Sequence, residues 1–350
     1  MMKNIKYYSI CILLYTFHCL NAQDRIDSLN VCRFSIIHEK DTIQFIKINN
    51  DLETPKPTIL FCQGSLAIPL IIKSAEGRLS ISMIDNFDYK KISETYNIIV
   101  ISSPHVPLIV DESQLNHQYA YITDKNNEHS YPQAYLDVNY LEKYVERGNA
   151  VIDFLLRQKW VDKNHIIVVG HSQGAKVAAK ITAENNHIAA LGFFSGNPMG
   201  RAEQYVRQSR LSELKGILSP EEAQAEINKT YSWWKWQCDH INEPSQHGED
   251  SPRTTISFST PILPDLLKII IPIYIAYGTK DIGSSYCDLL PIDFIRAGKT
   301  NYNLVPYLGL EHNYFEVDPT GKPDYDKCHW VQVMNDFVDW LNKINNLNQQ

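Results

Sequence analysis

Cysteine is sparse in this chain, seven in 350 residues, and no two stand in a C-x-x-C pair. H-E-x-x-H is also missing and the 12 histidines are dispersed, so no metal-ligand spacing can be read. No G-x-G-x-x-G occurs. Gly170 to Val177 fails as a phosphate-binding loop, because its glycine spacing is wrong and no Ser or Thr follows Lys176. Basic blocks are absent as well: Lys and Arg are scattered and the formal net charge is -7, which argues against a nucleic-acid partner. There is no internal repeat and no low-complexity tract. Neither cofactor nor metal is therefore expected.

What is present begins with a distinct amino terminus. Lys3 and Lys6 precede an uncharged apolar run from Tyr7 to Leu20, and Asn21-Ala22-Gln23 follows. A basic start, a short apolar core and a small residue at the cut site predict a secretory signal peptide over residues 1–22, hence an exported mature chain. The run is short for a membrane span, and no later segment is long and apolar enough, so no stable membrane insertion is expected. Cys19 does not read as a lipoprotein cysteine, because Thr16-Phe17-His18 lack the usual Leu and small residues. Cys32, Cys62, Cys238, Cys287 and Cys328 remain after cleavage. Five is odd, so at least one stays free or pairs with another chain, and a Cys287–Cys328 bridge is one arrangement among several.

With 44% hydrophobic and 21% charged residues, the chain has ample material for a large core. Arg33–His38 and Thr42–Asn49 read as a hairpin turning at Glu39-Lys40-Asp41. Short apolar strands follow at 58–62, 97–102, 166–169, 189–194, 271–277 and 303–308. The region after Pro107, up to about Pro132, reads as a long polar loop. Helical periodicity appears from Gln133 to Lys159, from Ala175 to Glu184 and from Trp330 to Ile344. Apolar strands alternating with helices predict βαβ units and a mostly parallel sheet covered on both faces. The stretch from 198 to about 268 breaks that rhythm with helical segments and a polar loop. It is too long for a crossover and predicts an inserted cap.

Gly170-His171-Ser172-Gln173-Gly174 fits G-x-S-x-G. A sharp turn from strand to helix forces its serine into strained backbone angles, and the flanking glycines leave room for the turn. The context suits the pattern, since an apolar strand runs into Gly170 and a helix opens after Gly174. The chain here resembles the α/β-hydrolase superfamily over nearly all of its mature length. That resemblance implies an α/β-hydrolase fold: a mostly parallel eight-stranded sheet flanked by helices over residues 23–350, with a helical cap.

It also implies a nucleophile, an acid and a histidine in that chain order, each at a strand end. Ser172 is the implied nucleophile. Asp281 closes the strand-Gly-turn segment Ile271 to Asp281, with Asp288 and Asp293 as substitutes. His312 follows the last strand, and His329 is a weaker candidate. The oxyanion donors would be the backbone N–H groups of Gln173 and, by resemblance, of Ser65, because Gln63-Gly64 stands where the family carries His-Gly. His171 reads as a residue packing beside the elbow. The Trp-rich run Tyr231 to Trp236 reads as packing or as an acyl or sugar pocket. Tyr119, Tyr121 and His105 are candidates for the cleft.

The function that follows is acyl transfer to water, with a small-molecule or polymer-linked acyl substrate. Carboxylic-ester hydrolysis is the leading reading. An exported peptidase, an acyltransferase and a non-catalytic binding protein on the same scaffold stay open.

Overall fold

The structure is a computed structural model that describes residues 22–347. The expected signal peptide therefore lies outside the described residues, except for Ala22. The strands of the main sheet are β1 (Ala22–Ile26), β2 (Val31–His38), β3 (Asp41–Ile48), β4 (Lys56–Cys62), β5 (Asn97–Ile101), β6 (Val161–His171), β7 (Ile188–Phe194), β8 (Ile273–Gly278) and β9 (Tyr302–Tyr307). Their spatial order is β1-β2-β3-β5-β4-β6-β7-β8-β9. The first three run antiparallel, and β3 also meets β5 antiparallel. The six strands from β5 to β9 are mutually parallel.

Nine strands replace the expected eight. The addition is β1, whose Ala22 pairs with Ser35 and whose Ile26 pairs with Val31. Ala-Gln-Asp-Arg-Ile carries almost no apolar pattern. The segment is held as an edge strand by main-chain bonds, which sequence periodicity does not report.

Along the parallel strands, successive residues face opposite cores. Ile166 and Val168 enter one apolar cluster, while Ile167 and Val169 enter the other. The first cluster lies under helices α1 (Leu141–Leu155) and α2 (Gln173–Glu184). The second lies under the helix Trp330–Leu347, through Val333, Met334, Phe337 and Leu341. Burial on both faces explains why these strands read as continuous apolar runs rather than alternating ones.

Two expectations are corrected. The helix predicted from Gln133 to Lys159 is broken into Gln133–Leu136 and α1. Tyr140 is extended at the break, and the first free N–H of α1, on Leu141, donates to Ser257 Oγ at 3.1 Å, a residue more than a hundred positions away. The polar region between Pro107 and Pro132 is not simply loop, because its Ile109–Asp111 joins Ile71–Lys73 and Leu79–Ile81 in a small second sheet. A ribbon of Phe315–Val317 with Pro323–Cys328 was likewise not legible.

Between β7 and β8 the chain forms four helices: α3 (Arg201–Leu214), α4 (Pro220–Asp239), α5 (Pro252–Ser259) and a short one at Leu263–Lys268. The start of α4 has a local cause. Ser219 and Glu222 form a reciprocal capping box, and Pro220 occupies the first helical position. Cys32, Cys62, Cys238, Cys287 and Cys328 are all free thiols. Cys287 is buried and donates to the Gly196 carbonyl at 3.3 Å, so no bridge to exposed Cys328 forms. Among the described residues no helix is long and apolar enough to cross a membrane.

Candidate active site

The site begins where β6 turns into α2. Ser172 has φ 58 and ψ -123, a strained backbone conformation for a residue with a side chain. Its N–H donates to the Phe194 carbonyl at 2.9 Å, which ties the turn to the end of β7. The two flanking glycines are required by packing. A Cβ on Gly170 would lie 2.0 Å from the Gly174 carbonyl oxygen, and one on Gly174 would lie 2.1 Å from that of Cys62. The turn therefore closes against itself and against β4. The Ser172 hydroxyl stands at the amino-terminal, positive end of α2.

The three polar side chains singled out from the sequence meet there. Ser172 Oγ lies 2.8 Å from His312 Nε2, and His312 Nδ1 lies 2.6 Å from Asp281 Oδ2. Asp281 is buried and accepts two further hydrogen bonds, from the Gly283 N–H at 2.8 Å and the Ser284 hydroxyl at 2.6 Å. Those two partners were not found from the sequence. Their signal was the Asp-Ile-Gly-Ser run itself, a short polar turn after a buried strand.

The alternatives lie elsewhere. Asp288 accepts from the Tyr277 hydroxyl, Asp293 pairs with Arg296 on the surface at 3.0 Å, and His329 contacts Glu316 and Gln332.

Burial alone would raise the Asp281 carboxyl. The hydrogen bond and charge of His312, with help from Ser284 and Gly283, outweigh it and hold the group below its ordinary range. His312 shows the mirror image. Burial would lower its pKa, yet the hydrogen bond and charge of Asp281, with a contribution from Glu311, raise it above the ordinary 6.5. His171 sits beside them, its ring centroid 5.0 Å from that of His312. Burial first, and then repulsion by His312, lower its pKa to about 3. As a neutral ring it donates from Nε2 to the His312 carbonyl at 3.0 Å and packs edge-on against Trp330.

Ser65 and Gln173 line one pocket of about 300 Å³ together with Ser172, Asp281 and His312. Among the described residues neither the Ser65 N–H nor the Gln173 N–H meets an acceptor in the protein. Gly64 brings the Ser65 loop against Ser172, since a Cβ at position 64 would sit 3.7 Å from the Ser172 Cβ. Gln63 turns away, and its amide donates to the Ile101 carbonyl at 2.8 Å and the Ser103 hydroxyl at 3.1 Å.

The pocket also holds Lys176, Asn197, Arg201 and Gln204, none of which the sequence singled out. Tyr119, Tyr121, His105 and the Trp-rich run do not line it. Tyr119 instead borders a separate cavity of about 640 Å³, beside Gly64 and Trp330. Trp233 packs on Tyr205 of α3 and on Trp234, Trp236 stacks on His240, and Tyr231 and Trp234 line a separate groove between α3 and α4.

No protein-family model matches this sequence, and no curated protein matches it. Solved structures do. The chain superposes on the alpha/beta hydrolase GrgF from Penicillium sp. sh18 with a TM-score of 0.51 at 12% identity, over 89% of this chain and 98% of that one. The hypothetical protein PA2218 from Pseudomonas aeruginosa gives 0.50 at 13% identity, over 90% and 94%. A proposed dipeptidyl aminopeptidase IV from Bacteroides ovatus gives 0.52 at 11% identity, over 89% of this chain but only 35% of that protein. At such identities the likeness is one of fold, and the fold is that of the α/β-hydrolases.

Proposed function

We propose that this chain, built on the α/β-hydrolase fold, is an exported serine hydrolase that cleaves carboxylic esters. The observation that carries the reading is the unbroken line from the Ser172 hydroxyl through the His312 ring to the Asp281 carboxylate, at 2.8 and 2.6 Å. With Asp281 accepting the Nδ1 proton, His312 Nε2 is free to take the proton of Ser172 as its oxygen attacks the ester carbonyl. The oxyanion that forms is held by the N–H groups of Gln173 and Ser65. His312 then returns the proton to the leaving alcohol, and water, activated by the same ring, releases the acyl group from Ser172. The helical segment from 198 to about 268 acts as a cap that shapes the pocket over the nucleophile.

A fluorophosphonate probe tests this directly. Native protein should be labelled covalently and should turn over chromogenic acyl esters faster than aminoacyl anilides, with both properties abolished in Ser172→Ala. An unlabelled, correctly folded protein would point to a binding module instead. Export is supported by the N-terminal pattern, and sequencing the mature protein from the culture fluid or periplasm should return Gln23 as the first residue.

A further inference from the structure

The pocket beside Ser172 is unusual in what it offers a substrate. Among the described residues the one carboxylate lining it is Asp281, which is fully engaged by His312, Ser284 and Gly283. The rest of its polar lining is biased toward donors. Arg201 gives one guanidinium nitrogen, Nη1, to Asp250 at 2.8 Å, and its remaining N–H groups meet no acceptor among the described residues. The Gln204 amide is oriented by Asn197, whose Nδ2 donates to Gln204 Oε1 at 3.2 Å. That contact orients the amide, which lies beside Gly283, and leaves the Gln204 NH₂ without an acceptor among the described residues. Lys176, one turn beyond the nucleophile, is buried and forms no ion pair among the described residues, although the charge of Glu203 reaches it. It donates instead to the Met199 and Thr260 carbonyls at 2.6 and 2.8 Å.

Resting on the esterase reading above, we infer that this pocket is built for a carboxylate carried by the substrate, with Arg201 and Gln204 as its anchors. At about 300 Å³ the space suits a short group. A long alkyl chain laid there would strip water from the donors without replacing it, which is unfavourable. A carboxylate instead accepts from the guanidinium and the amide together, in the planar geometry that arginine matches best. Lys176 fits the same picture. Burial, and then repulsion by Arg201, lower its pKa to about 7 against the attraction of Glu203, so a further anion nearby would favour the protonated ammonium. The carboxylate could belong to the acyl half or to the leaving group, and the assay separates the two.

The full mature chain is assayed with two matched pairs, each corrected for the rate with Ser172→Ala protein. One pair sets the para-nitrophenyl monoester of glutaric acid against the valerate ester. The other sets para-acetoxybenzoate against phenyl acetate. At least one charged ester should exceed its uncharged partner in kcat/KM by about tenfold or more, the worth of a charged hydrogen bond. Arg201→Gln should lower that ratio by about tenfold, with Arg201→Lys between.

Since Arg201→Gln could misfold, free glutarate and valerate are also compared as inhibitors of phenyl acetate hydrolysis by the unaltered protein, where glutarate should act at the lower concentration. Ratios near one in both pairs, or equal inhibition, in a protein whose Ser172 is labelled overturn the anionic pocket while leaving the esterase reading intact. If Ser172 is not labelled and no ester is cleaved, the esterase reading itself fails and takes this inference with it.

Discussion

Replacing Asp281 by Asn tests whether the carboxylate does more than fill space. Asn keeps the size of Asp but must divide its roles. Its oxygen remains the natural acceptor for the Gly283 N–H, now 2.8 Å from Oδ1. Its NH₂ then faces His312 Nδ1, where Oδ2 now stands at 2.6 Å. An amide donor at that point forces the ring to carry its proton on Nε2, turned toward Ser172, and a protonated Nε2 cannot accept from the hydroxyl. The loss should therefore be that of a wrong tautomer, about a thousand- to ten-thousandfold in kcat/KM, or roughly 4 to 5.5 kcal/mol of barrier.

The pH dependence supplies a second readout. In the unaltered protein Asp281 raises the His312 pKa above 6.5, so activity should be lost as pH falls through the raised value, because the imidazolium cannot act as base. Without the carboxylate's charge, burial is the main influence left, and it favours the neutral ring. The acid limb of the variant's residual activity should therefore move below 6.5. The assay is kcat/KM for a chromogenic ester from pH 5 to 9, with thermal denaturation as the control on folding. A folded variant within tenfold of the parent, with its acid limb unmoved, would refute the assignment of Asp281.

Two further outcomes concern the scaffold. Gly174→Ala should cost most of the activity together with a lower Tm, because the added methyl would meet the Cys62 carbonyl at 2.1 Å and the elbow must shift off β4; a variant with parental kcat and Tm would refute that packing. Asp41→Ala should destabilise the fold by about 3 to 5 kcal/mol in urea titrations, since it strands buried Arg147, whose Nη1 now lies 2.8 and 2.6 Å from the two carboxylate oxygens. Burial would raise the Asp41 carboxyl, but Arg147 and then Lys143 hold it below its ordinary 3.8. The stabilisation is therefore complete above pH 3.8 and lost as pH falls through the folded-state value, so the gap between parent and variant should narrow in acid.

The parts of the fold that were legible are those where burial and chain period coincide. The parallel strands β4 to β8 are covered on both faces, and such strands must be apolar throughout, which a single sequence displays. The sequence was silent where stability comes from the main chain or from distant partners. Edge strand β1 is polar and persists through its pairing with β2. The start of α1 depends on Ser257, a cap supplied from the segment between β7 and β8, so no local signal at Tyr140 could mark it. The helix period ran on through the break because Leu136 and Leu141 are both buried while the backbone between them turns.

The candidate site divides along the same line. Ser172, Asp281 and His312 could be located because each terminates a buried strand or follows one closely, and the carboxyl edge of a parallel sheet gathers such residues at one place. The residues that shape the pocket around them had no comparable address. Arg201 and Gln204 belong to α3, a surface helix with no buried residues, where charged and amide side chains are the common choice. Lys176 looks in sequence like any solvated lysine on a helix, and only the Met199 and Thr260 carbonyls, brought from distant segments, give its buried amino group partners. If Ser172 is the nucleophile, chemistry at this sheet edge is set by β-strand endings, and selectivity by the helices between β7 and β8 that contribute Arg201 and Gln204 to the pocket. Substitutions on the pocket-facing side of α3 should accordingly change which ester is preferred far more than they change the pH profile. Arg201→Gln should keep the acid limb set by His312 and Asp281, and a shift of that limb as large as Asp281→Asn produces would tie α3 to the proton relay rather than to the substrate.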